Sequence, residues 1–271
     1  MKQKPKVGIF ANIDDGTTHW NEVIKALGCG FRRHGISPHP ILNVFTEEEY
    51  DVVFACQSPR FEEFLSSQRE LNRGKTKHVI LTPSRVSKQG ICPHRFFDGA
   101  WENGRLHLSS RCVDLQTGKL LLPDNPPDHR KMLFDMEWYM DDWKSNGPWI
   151  SIIDEPNNPY FPDWCDETTT AIQQITNAPI QTVDRDNLDW SETQVAVAMQ
   201  TDTSMVTILK GIPTHVSSPA VLAAPMSTDL ERILAPYTPD RSQWLCHLAN
   251  SHWDNEDIRH GRYWNYLKKV I

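Results

Sequence analysis

Short unbroken apolar runs alternate along this chain with longer stretches in which apolar residues recur every three or four positions. The first kind marks strands buried on both faces, the second amphipathic helices. "KVGIFAN", Lys6 to Asn12, is a buried strand that ends in turn residues. "HWNEVIKALGCGFRRHGIS" then sets Trp20, Val23, Ile24, Leu27 and Phe31 at helical spacing, with Thr17 or Thr18 as N-cap and Gly35 as stop. "YDVVFACQ" is a second strand, "RFEEFLSSQRELNRG" a second helix and "KHVILTPS" a third strand. Strands that alternate with helices are joined by right-handed crossovers in a parallel sheet, so this stretch predicts one Rossmann-like unit.

The rhythm fades after Val86 and restarts later. "FFDGAWENGRLHLSSRCVD" predicts a hairpin around Glu102-Asn103-Gly104, because Asn-Gly suits a tight two-residue turn. "RKMLFDMEWYMDDWKSNG" reads as an amphipathic helix stopped by Gly147-Pro148, with Asp141 and Asp142 on its solvated face. "PWISIIDEP" is again a buried strand, "DWCDETTTAIQQITN" a helix, and "APIQTVDR" and "TQVAVAMQ" are strands. A short helix, "SMVTILKG", follows; Gly211-Ile212-Pro213 ends it, and "THVSS" is one more strand. The two α/β stretches share a rhythm without detectable sequence similarity. The tail predicts two helices, one capped by Thr238 with Pro239 at its first position, one starting at Asp254. Its tryptophans exceed what a small domain needs to close itself, so it is expected to return to the first half. The expected fold class is α/β, two Rossmann-like domains facing a cleft: 1–146, 147–253, and a returning helix over 254–271.

Composition narrows the function. A mean hydropathy of -0.53, with no apolar run near the roughly 18 residues of a membrane span, fits a soluble protein. The basic start, Met1 to Lys6, leads into too short an apolar run for a signal peptide, so a cytoplasmic protein is expected. The six cysteines are scattered without zinc spacing, and no Glu-x-x-His pattern accompanies His247, His252 and His260, so no metal is expected. The net charge of -7 argues against a general nucleic-acid coat but leaves room for a local basic groove. The run from Lys75 to Arg95 holds such charge without any acid; Arg85, Lys88 and Arg95 are the acceptor-side candidates if the acceptor carries phosphates.

Ligands of parallel α/β sheets bind outside the carboxyl ends of the strands. Four polar strand ends therefore matter: Asn12 to His19, Asp154 to Asn158, Asp184 to Asp186, and Gln200 to Ser204. Thr201, Asp202, Thr203 and Ser204 lie where free amides at a helix start, with hydroxyls beside them, suit an anion; ordinary N-capping by Asp202 or Thr203 accounts for the same residues. In the first loop Asp14, Asp15 and His19 are general-base candidates, Asp15 first, although an Asp-Asp-Gly turn is the plainer reading.

"DTSMVTILKGIPTHV" resembles the donor-binding segment of GT-B-type glycosyltransferases. The tail "PDRSQWLCHLANSHWDNEDIRHGRYWNYL" resembles the end of small phage-encoded glycosyltransferases related to capsule-polysaccharide enzymes. The resemblance covers roughly Ile150 to Leu267. It implies a nucleotide-sugar donor, UDP-linked, on the second domain, an acceptor on the first, and transfer without a metal. Thr203 and Ser204 would hold the phosphates with Arg185; Thr201, Asp202, Ser217, Asp154 and Glu155 complete the donor side. Phage relatives imply a hydroxymethylated pyrimidine in DNA as acceptor; a saccharide acceptor and a non-catalytic sugar-nucleotide binder are the alternatives. Val206 stands where such enzymes carry a ribose-binding Glu, so ribose recognition must differ.

Overall fold

The computed structural model describes residues 4–11, 18–56, 60–71, 75–83, 86–87, 90–91, 101–102, 105–117, 119–124, 140–144, 146–154, 163–184, 187–199 and 203–269. The chain divides into two compact units. The first takes Met1–Ser87, Arg95–His129 and Cys246–Ile271; the second takes Lys88–His94 and Arg130–Leu245.

The first unit opens with β1 (Val7–Phe10), α1 (Thr18–Arg33), β2 (His39–Ile41), β3 (Val52–Cys56), α2 (Phe61–Glu70) and β4 (Lys77–Pro83). β5 (Val86–Ser87) ends this run of the first unit, and β6 (Gly90–Ile91), next in the chain, belongs to the second. β7 (Trp101–Glu102) and β8 (Arg105–Asp114) make the expected hairpin, with Glu102 opposite Arg105, and β9 (Lys119–Leu121) pairs on β8. The parallel part runs β2-β1-β3-β4, and β8 extends it antiparallel. β1 and β3 are buried throughout, as unbroken apolar runs require. β2 sits at the edge, where Pro40 removes no needed ladder donor.

The second unit holds β10 (Trp149–Asp154), α3 (Trp164–Ile175), β11 (Ile180–Asp184), β12 (Thr193–Ala198), α4 (Thr203–Leu209) and β13 (Thr214–Val216). All pairs are parallel, in the order β11-β10-β12-β13. Both units thus place their first four parallel strands in the order second, first, third, fourth. In both, a helix joins the first strand to the second and the third to the fourth. Among the described residues none joins the second to the third. The shared rhythm in the sequence is a shared topology.

α5 (Ser242–Asn250) carries the chain back, and β14 (His252–Asp254), α6 (Asn255–Arg259) and α7 (Trp264–Leu267) complete the first unit. β14 pairs antiparallel with β8, Trp253 opposite Leu108. Trp253, Tyr263, Trp264, Tyr266 and Leu267 join Trp20, Val23, Leu27 and Phe31 of α1 in one buried cluster. The Trp264 ring meets Phe31 edge-on at 5.2 Å. Each such side chain contributes about 1.5–3 kcal/mol on burial, so the tail is part of this core. Gly30 is required here: a Cβ would overlap the Ile258 carbonyl oxygen, so α1 and α6 touch backbone to backbone.

Three sequence expectations are corrected. Met140–Lys144 is not helical, nor are Asn146 and Gly147, and the rest of that expected helix lies outside the described residues. The Asp141 amide donates to the Leu209 carbonyl (2.8 Å) and the Lys144 amide to the Gly211 carbonyl (2.6 Å), so this strap binds the exit of α4. Asp141 and Asp142 therefore do not form a helix face. α5 starts at Ser242, not Pro239, because the Asp240 carboxylate accepts from the Ser242 amide and hydroxyl, turning the chain first. The last expected helix is two, broken at Gly261, whose φ of 74° leaves the helical region. Its start is as expected: Asp254 caps α6 by accepting from the Asp257 amide.

Arg241 locks the strap. It is 6% exposed and donates to the carbonyls of Ile208 and Asp141, both at 2.6 Å. Its guanidinium lies 4.2 Å from the centre of the Trp143 ring, and the Trp143 indole donates to Pro239 at 2.9 Å. Gly211, at φ 73°, runs so close to the Asp142 carbonyl that no Cβ fits.

Candidate functional site

Strand order fixes where a ligand crevice opens. In the second unit the chain leaves β10 toward β11 and leaves β12 toward β13, in opposite directions. The gap outside the carboxyl ends of β10 and β12 is the switch point, where no crossover covers the sheet edge. The strand registers set out its rim. Asp154 pairs with Asp184. Continuing Ile152↔Val197 by two residues puts Asp154 opposite Met199, and continuing Ala198↔Val216 by one puts Met199 opposite Ser217. The Ser217 and Ser218 amides donate to the carbonyls of Ala198 and Met199 at 3.1 and 3.0 Å, so the two chains stay hydrogen-bonded past the strand ends. Asp184, Asp154, Met199 and Ser217 therefore form one row, about 14 Å long at the usual ~4.8 Å strand spacing.

The row is polar at its ends and buried in its middle. Asp184 and Ser217 are exposed, Asp154 is half-buried and Met199 is buried. The Cys165 thiol, in the first turn of α3, donates to the Asp154 carboxylate at 3.6 Å. That draws Asp154 toward a helix start, where negative charge is favoured. Sequence spacing singled out Asp154 but had no means of finding Cys165, eleven residues on.

Thr203 and Ser204 open α4 immediately after β12, and both are buried, at 1% and 0% exposure. Beneath them the Thr207 hydroxyl donates to the Ser204 carbonyl at 2.8 Å and shares a 2.6 Å hydrogen bond with Thr214. Val206 is 2% exposed, inside the packed side of α4. Lys210, just past the helix, makes an ion pair with Asp141 at 3.7 Å, at the end away from the rim. Asp154, Thr203, Ser204 and Ser217 thus gather at one edge of the second unit. Glu155, Arg185, Thr201 and Asp202 lie outside the described residues.

The first unit has its own switch point, between β1 and β3. The loop after β1 carries Asp14 and Asp15, which lie outside the described residues, as do Arg85, Lys88 and Arg95; His19 is described only as the second residue of α1. Among the described residues no group of His, Cys, Asp or Glu could hold a metal ion, and no helix is long and apolar enough to cross a membrane.

The fold and rims define an α/β protein with two doubly wound units, each with a ligand-type switch point. No family model and no curated protein matches the chain. Among solved structures it is similar to Thermosulfurimonas dismutans KpsC, beta Kdo 2,7 transferase, with a TM-score of 0.48 and 8% identity over 95% of this chain and 98% of that one. It is also similar to the beta Kdo 2,4 transferase of the same KpsC, at 0.47 and 8%, over 89% of each chain.

Proposed function

We propose that the chain is a glycosyltransferase that moves a sugar from a nucleotide-sugar to a hydroxyl acceptor. The observation that carries this reading is the rim of the second unit. Strand order opens a crevice there, and it is beside the stretch that resembles a donor-binding segment. In this reading Thr203 and Ser204, with Thr201, Asp202 and Arg185, hold the donor phosphates, while Asp154, Glu155 and Ser217 contact the rest of the donor. The acceptor oxygen attacks the anomeric carbon and the bond from that carbon to the donor phosphate breaks. The nucleotide leaves with its electron pair, and the acceptor proton passes to Asp15, with Asp14 and His19 beside it. Amides, hydroxyls and Arg185 balance the leaving phosphate, so the reaction needs no metal. The basic run from Lys75 to Arg95 favours a phosphate-bearing acceptor, hydroxymethylated DNA; a saccharide is the alternative.

The burial of Val206 supports a second reading, a sugar-nucleotide binder without catalysis, because no ribose-binding carboxylate stands there. One assay separates them. The protein is incubated with a panel of nucleotide-sugars, nucleotide-activated Kdo included, with hydroxymethylated DNA, a saccharide, or no acceptor. Nucleotide release that depends on an acceptor supports transfer. Binding without turnover under every acceptor leaves only the binder.

A further inference from the structure

We propose that a groove between α1 and the C-terminal segment of the first unit seats the phosphodiester backbone of a nucleic acid. This deepens the acceptor half of the proposed function and rests on it for the choice of nucleic acid. The groove has a volume of about 410 Å3 and is lined by Glu22, Lys25, Cys29, Arg32 and Arg259. Residues 22, 25, 29 and 32 form one stripe along α1, since positions three and four apart share a helix face. Arg259 ends α6 and approaches the same stripe, its Nη2 3.9 Å from Glu22.

The donors in this groove are largely unspent. The Arg32 guanidinium meets only the Cys29 sulfur, at 3.5 Å, and has no carboxylate partner among the described residues. Arg259 has carboxylates at 3.7 and 3.9 Å, beyond hydrogen-bonding reach, and its Nε is buried with no partner among the described residues. A guanidinium offers five N–H donors in a planar fork that matches phosphate oxygens. Lys25 adds an ammonium whose side chain is 69% exposed and whose one acid, Glu22, is shared with Arg259. Arg32 and the neighbouring exposed Arg33 also suit the negative end of α1, which accounts for their sign. It does not account for Lys25, in the second turn of α1; Arg259 sits in the last turn of its own helix, α6.

The walls are fixed before any ligand arrives. Gly30 brings α1 against the Ile258 carbonyl, His34 Nε2 lies 2.9 Å from the Gly261 carbonyl oxygen, and Phe31 packs on Trp264. Binding therefore does not have to order the two elements. On a chain with a net charge of -7, such a groove attracts a polyanion only where the local field is positive.

The test uses the full chain and a labelled DNA duplex of about 20 base pairs, by fluorescence anisotropy across a salt series from about 50 mM. Lys25→Glu and Arg32→Glu each weaken binding about tenfold, and the neutral Arg32→Gln gives a smaller loss. Each variant flattens the slope of log affinity against log salt by about one. Thermal unfolding checks that the variants fold. Wild-type protein that leaves DNA unbound, variants that bind like wild type, or tighter binding of a sulfated polysaccharide than of DNA each overturn the proposal. Nucleotide-sugar binding is measured on the same samples. Donor bound without DNA sinks the groove and spares the transferase; DNA bound at the groove without donor supports the groove and sinks the transferase.

Discussion

Replacing Arg241 by Ala should unlock the exit of α4. Two short hydrogen bonds from the guanidinium, each at 2.6 Å, hold the Ile208 and Asp141 carbonyls. Bonds from a charged donor contribute about 1.5–3 kcal/mol each, and the stack on Trp143 about 1 kcal/mol more. Against this stands the cost of holding the charge away from water. That desolvation lowers the Arg241 pKa, although Asp142, Asp141 and Asp240 pull it back up. Removing the side chain recovers that cost, several kcal/mol in buried settings, but takes a donor from both carbonyls, of which Ile208 keeps the Gly211 amide at 3.1 Å. The net loss is about 3 kcal/mol, confined to the second unit. In urea, with a slope of about 2 kcal/mol per molar, the midpoint of that unit falls by about 1.5 M. Trp143 reports locally, since its ring loses the guanidinium. Arg241→Lys keeps the charge without the fork and should recover less than half the loss. Hydrogen exchange should show faster amides at Lys144 and Gly211. A loss below about 1 kcal/mol, or full rescue by Lys, would refute this account of the clamp.

Other outcomes follow from the same geometry. Burial pushes the His78 imidazole down to about 4, with Arg69 adding to the fall and Thr76 and Asp114 opposing it. The folded protein thus binds fewer protons than the unfolded chain, whose histidine titrates near 6.5. The stability from neutral His78 is whole above about pH 6.5 and is lost as pH falls toward 4, about 3 kcal/mol in all. His78→Leu should flatten that part of a pH series of urea midpoints, and an unchanged slope would contradict the burial argument. Gly30→Ala should destabilise the first unit by at least ~2 kcal/mol, because the added Cβ meets backbone at Ile258; calorimetry showing an unchanged Tm would count against that packing. EDTA should leave acceptor-dependent nucleotide release intact, and its abolition, restored by added metal, would place a metal in the reaction.

Strands β1, β3, β4, β10 and β12 were legible because a buried parallel strand must be an unbroken apolar run. β2 was not: three residues with a central proline carry no period, and only pairing to β1 makes them a strand. His252–Asp254 reads as helix in sequence and becomes β14 because β8 offers a free edge. Met140–Lys144 carries helical spacing, yet the open carbonyls past α4 take its amides. For the proposed donor side, strand ends pointed to Asp154, Thr203 and Ser204, since parallel topology sets carboxyl ends along one edge whatever the side chains do, whereas Ser217 came only from the family resemblance. Cys165 and Arg241 act through partners 11 to 100 residues away, a distance that no local pattern encodes.

The most direct measurement is a crystal structure of the protein soaked with a nucleoside diphosphate. The account predicts phosphate density at the second unit's switch point, outside β10 and β12, within reach of the start of α4 and the rim at Asp154 and Ser217. Density at the first unit's switch point, or anywhere away from Thr203 and Ser204, would contradict it.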